Sequence, residues 1–156
     1  MNPTSKGNST LPADFPCTLD QLHDSPIYKH LGIRVLEVTE RAASVLLVSA
    51  EHHKNLQGVY HGGAIAAAVD SAAALAAMAS VGPTRTVSSI DLKLNFLAPI
   101  TSGDLKASAR VLHSGKRTVV CEVDAIHGTK LAAKALATYA VLDAGAIERV
   151  TKHAGA

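Results

Sequence analysis

The chain has 156 residues, enough for one domain whose core needs no disulfide or metal staple. Hydrophobic residues make up 47% of it but aromatics only 3%, so the core is built largely of alanine and valine, and oligomerisation is expected to add buried area. A formal charge of +2, with basic residues scattered apart from Lys116-Arg117, excludes an argument for nucleic acid as a partner.

Residues 1 to about 16 are rich in Asn, Pro, Thr, Ser and Gly and hold no apolar stretch of signal-peptide length. They read as a flexible tail, residues 1–20, ahead of a domain over 21–143 and a second tail over 144–156. Cys17 and Cys121 lie far apart, which argues against a structural disulfide and for a reducing compartment, the cytoplasm. Ser25-Pro26 opens a short helix, Ser as cap and Pro in the first turn, and Gly32 ends it. Residues 33–38 and 43–48 are strands around a turn at 39–42. A polar loop follows over 50–60. Its adjacent His52 and His53 read as exposed, with no metal-ligand spacing in the chain, so no metal is expected.

Residues 62–78 are nearly all Ala, Ile, Val, Leu, Met or Gly around one acid, Asp70. A segment apolar on all sides is a buried helix, and a carboxylate inside it is costly unless bonded, paired or neutral. It reaches membrane-spanning length only if the acid is ignored, so a core helix is expected and no membrane. Gly82-Pro83 breaks the helix. Strand 86–97 follows, with Ser89, Asp91, Lys93 and Asn95 opposing Ile90, Leu92, Leu94 and Phe96. Strands 104–113 and 117–126 flank a tight hairpin at Ser114-Gly115-Lys116. Residues 130–142 are alanine-rich, which favours helix by propensity, but the short Gly128 turn before them and their β-like end argue for a strand. The order implies an α+β domain in which a curved antiparallel sheet of about six strands wraps one long helix.

Leu31-Gly32-Ile33 before the first strand, Asn55, His61-Gly62-Gly63, Asp70 nine positions after His61, and the strand pattern behind them resemble the hotdog-fold acyl-CoA thioesterases. The PaaI/4-hydroxybenzoyl-CoA thioesterase-like group is the most similar, and the resemblance covers about residues 25–142. It implies hydrolysis of acyl-CoA to a free acid and CoA, with no cofactor besides the coenzyme A carried by the substrate. It also implies active sites at a homodimer interface, with dimers pairing into a homotetramer.

Gly62 and Gly63 start the helix, where backbone N–H groups lack internal partners and sit at the positive end of the dipole. The N–H of Gly62 or Gly63 can polarise a thioester oxygen, the alternative being close packing or an awkward turn. Asp70 is the candidate base or nucleophile, its burial making it more basic; the alternative is a structural acid capped by Ser71 or the backbone. By resemblance, Asn55 positions water or thioester and His61 orders the loop or contacts the thioester region. A helix-start His is a donor or cap more readily than a base. Gln57 could contact substrate from the same loop. The resemblance also implies a Ser or Thr at the start of strand 86–97 that bonds the acid or the water, and aligning Ser-Ile-Asp-Leu points to Ser89 rather than Ser88, the alternative being an ordinary strand hydroxyl. Lys116 and Arg117, and more weakly Arg85 and Lys93, could pair with CoA phosphates or simply be solvated.

Gly62 and Asp70 are about 12 Å apart along a helix, too far to serve one reacting centre. Two antiparallel copies across a two-fold axis could combine them into composite sites. The alternatives are an enoyl-CoA hydratase or dehydratase of the same fold, whose segments are missing from the sequence, and a non-catalytic acyl-CoA binding module, which gains nothing from a buried acid.

Overall fold

The computed structural model describes residues 10–145. The outer parts of the two expected tails, 1–9 and 146–156, lie outside the described residues. Two short helices, α1 (Leu19–His23) and α2 (Pro26–Leu31), precede β1 (Ile33–Thr39) and β2 (Ala42–Leu47). A 3₁₀ turn (Glu51–His53) leads to the long helix α3 (Gly62–Val81). Then come β3 (Arg85–Phe96), β4 (Leu105–Ser114), β5 (Thr118–His127) and β6 (Lys130–Asp143). The helix α1 was not expected. Thr18 and Gln21 cap it reciprocally, a capping box that satisfies two orphan donors. Before it, Thr10 bridges to Glu37, and Leu11 and Phe15 pack against the core. Ser25 precedes α2 but gives it no side-chain cap, whereas Gly32 does close it in the left-handed conformation at φ 62°.

The strands form one antiparallel sheet in the order β1-β2-β4-β5-β6-β3. It curls around α3, which touches all six strands. Ala68, Ala72, Ala73, Ala76 and Ala77 on the helix are buried, as are Ala133, Ala135 and Ala137 on β6. Small side chains on both sides let helix and sheet approach closely, and branched residues such as Val69, Leu75, Val119 and Val123 fill the remaining space. The same period of two explains why alanine-rich β6 is a strand: Ala133, Ala135, Ala137 and Tyr139 all face the helix, and the strand is laddered on both sides, by β5 and β3.

By length and composition α3 could cross a bilayer, yet the whole sheet packs on it. The expectation of burial on all sides is corrected. Ala66, Ala67, Asp70 and Ala74 are only half-buried in the single chain, because the sheet wraps one side of the helix. The neighbouring strand β3 is a sheet edge exposing Ile90, Phe96 and Leu97 at its end.

The expectation for His53 is also corrected. It is 1% exposed, wedged against His52 and Tyr60 with ring centroids 4.4 and 5.6 Å away. Among the described residues neither ring nitrogen makes a well-formed hydrogen bond, the Leu31 backbone offering only a weak one. Burial, then the charge of His52, lowers its pKa from the ordinary 6.5. The unfolded chain therefore takes up this proton more readily, and stability is lost as pH falls from about 6.5 through the lowered folded value. Chemical denaturation at about pH 7 and pH 5 checks this. His53→Phe should gain stability relative to wild type as pH falls, and a difference independent of pH would contradict the assignment.

Candidate active site

Asp70 lies in the second quarter of α3, on the flank facing β3. Its Oδ1 accepts two hydroxyl hydrogen bonds, from Tyr139 Oη at 2.8 Å and Ser89 Oγ at 3.2 Å. Tyr139 Oη also lies 3.1 Å from the Asp70 main-chain oxygen. Oδ2 has no partner among the described residues. The two donors come from one registered pair, since Ser89 of β3 stands opposite Tyr139 of β6 and paired residues share a sheet face. A bulge between Ser89 and Asp91 makes this possible. Strict alternation would group Ser89 with Asp91 and set it against Leu92 and Leu94. The extra residue, Ile90, lets Ser89 face the helix while Leu92 and Leu94 also pack inward, leaving Ile90 60% exposed. Ser88 points to the opposite side and is exposed.

The loop before α3 is built by its own polar groups. Asn55 Oδ1 accepts from Gln57 N at 2.9 Å and Val59 N at 3.3 Å, and Gly58 turns at φ 75°. Asn55 thus shapes the turn, its amide Nδ2 having no acceptor among the described residues, while Gln57 is exposed at the tip. His61 is the N-cap of α3: its Nδ1 accepts from Gly63 N at 2.9 Å. That nitrogen is therefore unprotonated, and the Gly63 N–H is consumed. The Gly62 N–H at the helix start has no partner among the described residues. A Cβ on Gly62 would come within 2.9 Å of Phe96 Cζ, so the ring of Phe96 lies directly over this position. Both line an open apolar groove of about 490 Å³ with Tyr60, Ile65, Leu97 and Ile100.

The helix runs unbroken from Gly62 to Val81, so the free N–H and the carboxylate stay about 12 Å apart along its axis. One chain therefore holds two half-sites: Asp70 with Ser89, and Gly62 with the Asn55–His61 loop. Lys116 and Arg117 are exposed at the β4–β5 tip, beside the far end of α3, where Ser80 and Ser114 hydroxyls are 3.2 Å apart. Arg85 donates to the Lys116 carbonyl at 3.3 Å and pairs with Asp143. Lys93 points to solvent from β3. Sequence reasoning missed Tyr139 and Phe96. The one signal for Tyr139 was its being the sole aromatic in an alanine-rich strand. Cys121 is no rival nucleophile: burial pushes its thiol up to about 11.

The pattern of the thioesterase superfamily matches residues 57–133. A Saccharolobus solfataricus protein bearing an esterase name is 32% identical over 117 residues, 74% of this chain and 83% of that protein. The 1,4-dihydroxy-2-naphthoyl-CoA hydrolase of Listeria monocytogenes is 31% identical over 93 residues, 60% of this chain and 76% of that enzyme. A Haemophilus influenzae thioesterase structure superposes with a TM-score of 0.76 at 26% identity, covering 81% of this chain and 92% of that one. A mutant of the Thermus thermophilus phenylacetic acid degradation protein PaaI gives 0.70 at 26%, covering 74% and 98%.

Proposed function

The chain belongs to the thioesterase superfamily and has its hotdog fold, and on that premise we propose that it hydrolyses acyl-CoA thioesters to a free acid and coenzyme A. The observation that carries the reading is Asp70, a carboxylate half-sunk in an apolar helix with Oδ1 fixed by two hydroxyls and Oδ2 unbonded among the described residues. Oδ2 takes a proton from water as the water oxygen attacks the thioester carbon. The developing oxyanion accepts the Gly62 N–H, backed by the dipole of α3. Collapse breaks the C–S bond, and the CoA thiolate leaves and takes up a proton. The carboxylate could instead attack directly, forming an anhydride that water opens. Neither route needs a metal or a resident cofactor.

The 12 Å separation of the half-sites supports a homodimer in which Gly62 of one copy faces Asp70 of the other. The unpaired edge of β3 and the half-buried alanine flank of α3 supply the surface for it. Pairing of such dimers into a tetramer, CoA-phosphate contacts from Lys116 and Arg117, and a cytoplasmic location belong to the same proposal. The groove beside Gly62 suits an aryl or medium-chain acyl group.

A thiol-release screen over short, medium, long and aromatic acyl-CoAs, run beside enoyl-CoA hydration, tests the reading. Thiol release is expected, fastest with aryl or medium-chain substrates, and no hydration. Hydration without thiol release would assign a hydratase instead, and tight binding with neither reaction would assign a binding module.

A further inference from the structure

We infer that Tyr139 is a positioning residue for this hydrolysis: its hydroxyl holds Oδ1 of Asp70 so that Oδ2 alone is presented to the reacting centre. The inference rests on the reading of Asp70 as base or nucleophile. Tyr139 is 1% exposed and is the largest fully buried side chain of the described residues. Its backbone is laddered to Val119 on one side and Ser89 on the other, so the ring cannot drift without opening the sheet. From this fixed base the hydroxyl reaches both ends of Asp70, the carboxylate at 2.8 Å and the main-chain oxygen at 3.1 Å.

A phenol has one proton to give, and the shorter contact places it on the carboxylate. Burial, then the negative charge of Asp70, pushes the phenol pKa up, so the group remains a donor throughout the working pH range. Rotation of the carboxylate about its χ angles would exchange this charge-assisted bond for the longer one to the neutral main-chain oxygen, a weaker acceptor. Ser89 is the weaker restraint: its bond is longer, and it sits on an exposed edge strand. The rigid donor is therefore the tyrosine, and the serine completes the cradle. A tyrosine that merely filled the core would satisfy its hydroxyl on the helix carbonyl and leave the chemistry of Asp70 untouched.

Tyr139→Phe keeps the ring and removes only the hydroxyl, so the folded structure should persist, as circular dichroism would verify. The expected result is a kcat lower by about 10- to 100-fold with KM nearly unchanged, the loss of a hydrogen bond to a charged group. Ser89→Ala should cost less than Tyr139→Phe. A Tyr139→Phe enzyme with wild-type kcat, beside an inactive Asp70→Asn enzyme, would overturn the role of Tyr139 and leave that of Asp70 standing. A loss of kcat/KM that lies in KM rather than in kcat would likewise assign Tyr139 to packing alone. An Asp70→Asn enzyme as active as wild type would instead remove the premise.

Discussion

Asp70→Asn is expected to lower kcat for acyl-CoA hydrolysis by about a thousandfold, the scale of general-base catalysis, with KM little changed. Asn matches Asp in shape, and its amide oxygen can still accept from Tyr139 and Ser89 where Oδ1 does now. What is lost is the ability of the second oxygen to take a proton or attack a carbonyl. Removing the charge also relieves the cost of a half-buried carboxylate, offsetting the weaker hydrogen bonds. The melting temperature should therefore stay close to that of wild type. Thiol release and thermal unfolding measured on the same preparation separate the two effects. Wild-type turnover in a folded Asp70→Asn enzyme would remove this residue from the chemistry.

Gly62→Pro should be nearly as damaging, for a different reason. Gly62 is the first residue of α3, where proline is well tolerated because the N–H has no helical partner. His61 has φ −64° and ψ 134°, the extended conformation that a following proline requires. The substitution therefore deletes one N–H and little else of the backbone. Loss of an oxyanion donor of this kind costs about 10²- to 10³-fold in kcat. Gly62→Ala is the control, since it keeps the N–H but introduces the same Cβ against the ring end of Phe96, a residue 54% exposed, so the side chain has open space to yield into. The alanine enzyme should retain most activity. Equal losses in both enzymes would show that space at Gly62 matters and its N–H does not.

The long helix, its glycine start and its single acid were legible in the sequence because each is a local pattern: Ala-rich composition, His-Gly-Gly, one carboxylate, Gly-Pro. The antiparallel sheet followed from spacing and turns, including β6, whose propensity pointed to helix but whose short Gly turn and β-like end pointed to the strand that pairs on both sides. The partners of Asp70 were less legible. Ser89 was found by resemblance, but the bulge at Ile90 that turns it toward the helix breaks the period of two on which strand reading depends. Tyr139 is 69 residues away in the chain, and only the β3–β6 register brings it to the site. His53 was misread because adjacency to His52 says nothing about Tyr60 folding back over it. The half-buried flank of α3 shows the limit from the other side. Apolarity all round a helix signals burial, but not whether the cover comes from the same chain.

Co-expression of differently tagged Asp70→Asn and Gly62→Pro chains, with purification through both tags, tests the shared site most directly. If each site takes Gly62 from one chain and Asp70 from the other, a mixed dimer carries one site with both lesions and one with neither. Thiol release should then recover to about half of the wild-type rate per dimer, far above either parent. Activity that stays at the level of the two parents would place both groups of each site in the same chain and contradict the composite site.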